Sequence, residues 1–381
     1  MTKVSPKFIQ NINDDNVILW FNESNKYVVT SDINSKLIQL YTNPDYGRDS
    51  FVSYLKEHFQ IDSENGNAIY ENIADFIEET TYASSESHTT TTFPKVETPS
   101  HYPILNYYSF YDKKIRIRYE SDIIKSLFHP QIAHHSIDGD QKFDTSFDIF
   151  KKSDDLYLLR DGDCVGKFKT ESFHFLQGKF ALELTNSIHN KNIDQWIATF
   201  HASTISNGKE SIMIIGDSGN GKSTLSALLM AKGYDILCDD FTPLYENDML
   251  LYRYPAATSI KKGAFDMLQS HLDIEDLITH TNGPKKVNIK YVPPVLKYNS
   301  LKSAFPCHHI VYVKYDKDNG NALNKMPKDK ILETLIPDSW ISPNERHALK
   351  FINWFKETNC HKLTYSNNDF ALSKFEELFN G

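Results

Sequence analysis

The stretch Ser211-Ile-Met-Ile-Ile-Gly216-Asp217-Ser218-Gly219-Asn220-Gly221-Lys222-Ser223-Thr224 constrains this chain more than any other. It spells G-x-x-x-x-G-K-[ST], a phosphate-binding loop, in the setting such a loop needs. An apolar, β-prone run (Ile212 to Ile215) precedes it, and a helix-like run with Leu225, Leu228 and Leu229 follows. Glycines let the backbone wrap a phosphate chain so that N–H groups and a helix N-terminus face the anion. Lys222 is then placed to neutralise the outer phosphates, and Ser223 to bring a hydroxyl to Mg²⁺. The expectation is a strand–loop–helix unit of an α/β fold that binds ATP or another nucleoside triphosphate with Mg²⁺ through residues 216–224.

At 381 residues there is room for two or three domains with cores of their own. A net charge of −9 argues against nucleic acid as the main partner, because phosphate backbones demand clustered Lys and Arg. The nearest approach to a basic patch, Lys113-Lys114-Ile-Arg116-Ile-Arg118, alternates as a strand with one solvated face does. Cys164, Cys238, Cys307 and Cys360 are far apart and form no C-x-x-C pair. They read as free thiols of a reducing compartment rather than a zinc site or a disulfide framework. With no apolar signal core at the N-terminus and no run of membrane length, the expectation is a cytoplasmic chain without a membrane partner.

Residues 1–82 read as a small α+β domain. Val17–Phe21 and Tyr27–Thr30 look like strands, and three apolar stripes at helical spacing follow, near Ile33–Tyr41, Phe51–Phe59 and Ile69–Ile77. Residues 83–101, polar and β-branched, have the composition of a linker. From Tyr102 to about Leu184, short strand-like runs alternate with turns: Lys114–Tyr119, Leu156–Leu159, Cys164–Phe168 and Phe173–Leu176. This suggests a small β-rich layer. Phe180–Phe200 reads as helix, a polar break at Asn190–Asn192, and a helical run into Trp196. The nucleotide-binding core then spans about 195–381, with strands at Asp235–Cys238 and Ile310–Lys314 and helices near 331–335, 344–355 and 370–379.

Phosphoryl transfer needs a held metal, a positioned acceptor and often a carboxylate to take the acceptor's proton. Asp239-Asp240, at the end of an apolar strand after the loop helix, supplies two carboxylates. Neighbours in a strand point to opposite faces, so both reach one site only if the chain is turning there. With Gly216-Asp-Ser-Gly-Asn-Gly-Lys-Ser, the run Ala231-Lys-Gly-Tyr-Asp-Ile-Leu-Cys-Asp-Asp240 and the earlier His201-Ala-Ser, residues 102–381 resemble the HPr serine kinase/phosphorylase family, which has a phosphoenolpyruvate-carboxykinase-like core. The resemblance implies that Ser223 and Asp240 hold Mg²⁺, that Asp239 is the base at an acceptor hydroxyl, and that His201 and Lys222 lie near the phosphates. The order of the two aspartates could be reversed. The family's E-[IV]-R-G-[LI]-G signature is missing, which argues against HPr itself as acceptor and against the reverse reaction. Lys261-Lys262 and Lys285, Lys286 and Lys290 are further cations where phosphates could bind.

Residues 15–80 are similar to the PqqD-like peptide-recognition domain, a winged-helix fold that binds a leader peptide as an added strand. Together these resemblances imply a Mg²⁺- and ATP-dependent kinase acting on a Ser or Thr hydroxyl of a ribosomally made precursor peptide. Two other readings fit the same residues. One is a small-molecule kinase for serine or a sugar, with the N-terminal domain used in assembly, as in a homo-oligomer. The other is a nucleotide-switched peptide escort that transfers nothing.

Overall fold

The computed structural model describes residues 4–13, 15–81, 96–282, 286–295, 302–318 and 320–381. Over these the chain is mixed α/β with several sheets. It divides into two compact units. One comprises Met1–Thr90, Pro327–Ile336 and Ile341–Lys356; the other comprises Thr91–Met326, Pro337–Trp340 and Glu357–Gly381.

The first unit opens with three antiparallel strands, Phe8–Asn11, Asn16–Phe21 and Lys26–Ser31, in that spatial order. Val17, Leu19 and Phe21, two apart on the central strand, share a face. They form a core with Leu37, Ile38 and Tyr41 of helix Asp32–Thr42, Phe51 and Leu55 of helix Arg48–Phe59, and Ile77 of helix Ser63–Thr81. Ser31 starts the first helix, its Oγ accepting the Asn34 N–H at 3.2 Å. The three stripes visible in the sequence are these three helices. The strand Phe8–Asn11 was not anticipated, being short and bordered by polar residues.

Two segments that read in sequence as part of a single 102–381 domain are grouped with this first unit. The reason is an apolar stripe: Ala348, Phe351, Ile352 and Phe355 of helix Glu345–Glu357 are all buried. Phe351 meets the ring of Tyr27 edge-on at 5.6 Å. Asn25 Nδ2 donates to the carbonyl of Ile341 at 2.7 Å. Of the expected linker, residues 83–95 lie outside the described residues, and 96–101 form neither helix nor strand.

The second unit carries a six-stranded β-rich sheet over residues 104–169, with helices Asp122–Ile132 and Phe173–His189. Two expectations here are corrected. Phe173–Leu176 is helix rather than strand, and Trp196–Phe200 is strand rather than helix. In both places an aromatic-rich apolar run is short enough to suit either state, and tertiary partners decide. Trp196–Phe200 pairs antiparallel with Thr242–Tyr245, and Trp196 is buried against Tyr245 and Tyr252.

The region expected to bind nucleotide folds around a second six-stranded sheet. Its order is Asp235–Cys238, Ser203–Ser206, Ser211–Ile215, Cys307–Tyr315, Asn359–Tyr365, Ala322–Lys325. Ser211–Ile215, Cys307–Tyr315 and Asn359–Tyr365 run parallel, while Ser203–Ser206 is antiparallel to both its neighbours. Asp235–Cys238 therefore points the same way as Ser211–Ile215. Both strands end, and Ser203–Ser206 begins, at one edge of the sheet. Ile205, Ile212, Ile214 and Val311 pack with Leu225, Leu228 and Leu229 of helix Lys222–Ala231. Cys238, Cys307 and Cys360 are buried free thiols, and Cys164 is half-buried. No helix among the described residues is long and apolar enough to cross a membrane.

Candidate phosphate-binding site and acidic pair

The site forms where those three strand ends meet. Ser211–Ile215 is buried throughout, and the chain leaves it at Gly216 to form a loop whose tip, Asp217, Ser218 and Gly219, is exposed. Gly221, at φ +87°, turns the backbone into the helix that opens with Lys222. Asn220 and the strand Cys307–Tyr315 hold the loop: Tyr315 N donates to Asn220 O at 3.1 Å. Tyr312 Oη donates to Asp217 Oδ2 at 2.6 Å and accepts from Asn220 Nδ2 at 3.1 Å. Burial, and then the Asp217 bond, push the Tyr312 hydroxyl up to about 12. Thr224 is half-buried on the first turn of the helix.

The acidic pair sits at the end of Asp235–Cys238. Asp240 has φ +59°, a left-handed turn that Asp, like Asn, adopts more readily than most residues with a side chain. This turn satisfies the condition set by strand geometry: the strand has ended, and both carboxylates reach one site. Asp239 is buried, and both its oxygens are engaged. Oδ1 accepts from Ser203 Oγ at 2.7 Å and Ser223 Oγ at 3.4 Å; Oδ2 accepts from Ser259 N at 2.9 Å and Ser259 Oγ at 3.4 Å. Burial, helped by the charge of Asp240, pushes the Asp239 carboxyl well above the usual carboxylate range.

The Asp240 side chain is 39% exposed and lies 3.0 Å from Lys222 Nζ and 3.8 Å from His201 Nε2. Burial works against its ionisation, but Lys222, His201 and Lys261 outweigh this and hold the carboxyl below the usual range. His201 is brought there by pairing: Phe200 lies opposite Thr242, so the residues on either side of that pair share one end of the sheet.

The structure thus brings together Lys222, Ser223, Asp239, Asp240 and His201. It pairs the Ser223 hydroxyl with Asp239, whereas the sequence expectation paired Ser223 with Asp240. Ser203 and Ser259 went unnoticed in the sequence. Ser203 stands two residues after His201 and could have been suspected from that; Ser259 arrives through a separate strand, Thr258–Lys261, and has no local signal. Tyr291 lies opposite Ser259, and the two carboxylates add to the burial that raises its hydroxyl. Of the further cations, Lys261 acts on Asp240, whereas Lys290 Nζ is spent on the carbonyls of Ile274 and Glu275, at 2.6 and 3.1 Å. Lys285 lies outside the described residues.

No family model matches the sequence, and no curated protein matches it. Among solved structures, the chain is similar to the HPr(Ser) kinase/phosphatase from Coxiella burnetii, at 14% identity over 47% of this chain and 90% of that one, with a TM-score of 0.23. A likeness at that TM-score carries no functional weight.

Proposed function

We propose that this chain is an ATP- and Mg²⁺-dependent kinase that phosphorylates a hydroxyl group. The observation that carries the reading is the convergence at one sheet edge: Lys222 Nζ 3.0 Å from Asp240, and Ser223 Oγ 3.4 Å from Asp239, at the mouth of a phosphate-binding loop. Among the described residues no group of three or more His, Cys, Asp or Glu side chains is arranged to hold a metal ion. A hydroxyl and one carboxylate nevertheless suit Mg²⁺, which keeps several waters and takes phosphate oxygens as its other ligands. Ser223 and Asp239 would hold it, and it would supply charge neutralisation on the phosphates.

The geometry favours one order of the two aspartates, the reverse of the one implied by the resemblance. Asp239 is enclosed by Ser203 and Ser259 and cannot approach an acceptor. Asp240 is the more open of the two, with 39% of its side chain exposed, although the Oδ1 that faces Lys222 is itself buried. In this reading Asp240 accepts the acceptor's proton as the hydroxyl oxygen bonds to the terminal phosphorus and the bond to the bridging oxygen breaks. Lys222 balances the charge of the transferred group, and His201 stands behind Asp240.

The acceptor we propose is a Ser or Thr of a precursor peptide captured by the first unit. Two features of that unit support capture: among the described residues neither outer strand of its sheet has a further strand beside it, and a groove of about 490 Å³ beside Phe8 and Ile9 runs along Gln39, Thr42 and Pro44. Tethering would raise the local concentration of the acceptor.

The test is mass spectrometry of peptide, serine and sugar acceptors after incubation with Mg·ATP. Asp240→Asn should keep nucleotide binding and lower transfer by about 10²–10⁴-fold. Asp239→Asn should weaken the Mg²⁺ dependence of binding. Transfer at the wild-type rate by Asp240→Asn sinks the base assignment. Transfer to serine or a sugar alone replaces the peptide reading, and nucleotide binding with no transfer to any acceptor favours a switch.

A further inference from the structure

The phosphate-binding loop has two flanks in its sheet. One flank, beyond Ser203–Ser206, carries Asp239-Asp240; the other is the parallel strand Cys307–Tyr315. Ile215 lies opposite Tyr312, so Tyr315 extends three residues further, to the level of the loop. In the reading above the outer phosphates face Lys222 and Asp240, which leaves this second flank to the nucleoside.

Tyr315 is seated there firmly. Its backbone N–H is bonded to Asn220 O at 3.1 Å. Its Cβ lies 3.4 Å from where a Cβ on Gly221 would be, with Tyr365 Oη nearer still at 3.1 Å, so the two tyrosines flank the last glycine of the loop. Its ring stands edge-on to Tyr365 at 5.5 Å and 72°, and Tyr365 is buried. Yet Tyr315 is 41% exposed. A single exposed aromatic is ordinary on a protein surface. One held in a fixed orientation beside the last glycine of a phosphate loop is placed for a ligand. Tyr312, the other tyrosine of this strand near the loop, has its hydroxyl committed to Asp217 and Asn220.

Resting on the nucleotide reading above, we propose that Tyr315 is the platform on which the base of the bound nucleotide stacks. Stacking on an aromatic face is tolerant of base identity, so the ligand class is a nucleoside triphosphate of any base. Recognition would then be divided: the loop reads the phosphates, and Tyr315 reads the presence of a base.

The experiment is calorimetric titration of the full chain, in Mg²⁺, with ATP and separately with inorganic tripolyphosphate. The wild type should bind ATP more tightly than tripolyphosphate. Tyr315→Leu, which keeps bulk against Gly221 but removes the aromatic face, should weaken ATP binding about tenfold and leave tripolyphosphate unchanged. Tyr315→Phe should bind ATP as the wild type does, which guards against a folding defect as the cause. Equal losses for the two ligands in Tyr315→Leu would make Tyr315 a support of the loop and overturn the platform. Unchanged ATP binding in Tyr315→Leu also overturns it. Equal wild-type affinity for both ligands overturns the platform alone, whereas a wild type that binds neither removes the nucleotide reading and the platform with it.

Discussion

A methyl group on Gly216 would lie 2.7 Å from the carbonyl oxygen of Val313, closer than real Cβ atoms approach a backbone. The loop leaves its strand at that point, so the added carbon has to push it off the sheet. Gly219, at the exposed tip, has nothing within 4 Å of such a methyl group. Gly216→Ala is therefore expected to destabilise by about 1–3 kcal/mol and to weaken ATP binding by tenfold or more. Gly219→Ala should show only the smaller backbone strain of its positive φ. Thermal melting and calorimetry on the two variants check this, and equal effects would put the constraint in the loop's flexibility instead. At this scale Lys222, Ser223 and the Asp239-Asp240 pair were legible because a loop and a strand end are local patterns. Which aspartate faces the opening was not, because it depends on a left-handed turn at Asp240 and on Ser203 and Ser259, brought in from two other strands.

The strand that delivers the acidic pair begins at Asp235, whose carboxylate is buried against Arg253, also buried. Arg253 Nη1 donates to Asp235 Oδ1 at 2.8 Å and to Ile236 O at 2.7 Å, and Nη2 donates to Lys302 O at 3.2 Å. Removing one partner leaves a buried charge uncompensated, which outweighs anything the pair contributes when whole. Asp235→Ala should cost about 3–5 kcal/mol, read from urea denaturation, while Asp235→Leu combined with Arg253→Met should recover most of it. A double variant as unstable as the single one would mean that the packing, not the charge, is what matters. Neither partner stood out in the sequence, since eighteen residues separate them and Arg253 follows a strand, Leu251–Tyr252, of a different sheet. The helices were easier: Phe51, Leu55 and Phe59 recur every fourth residue, and the polar Ser53 and Glu57 between them count against a strand. Trp196–Phe200 and Phe173–Leu176 were misread because runs of five and four residues are too short to show a period, and Tyr245 and Tyr252 decide the first of them.

The two units are interleaved along the chain, which bears on how the peptide-capture proposal can be tested. Deleting residues 1–95 looks like a clean removal of one domain, but the first unit also includes Pro327–Ile336 and Ile341–Lys356. Without the N-terminal strands, Phe351 loses the ring of Tyr27, Ile341 loses the side-chain bond from Asn25, and Glu345 loses Lys7 at 3.6 Å. The ion pair is exposed and matters little; the uncovered apolar stripe matters more. A chain of residues 96–381 is therefore expected to self-associate or to be recovered in low soluble yield, with loss of near-ultraviolet dichroism. Gel filtration and dichroism measure both. A monodisperse 96–381 chain with native dichroism would show that the stripe is held by the C-terminal segments themselves, and its transfer activity would then report directly on the first unit. If it aggregates as expected, lost activity says nothing about peptide capture. The discriminating variants are then substitutions along the Phe8–Ile9 groove that leave the buried stripe covered.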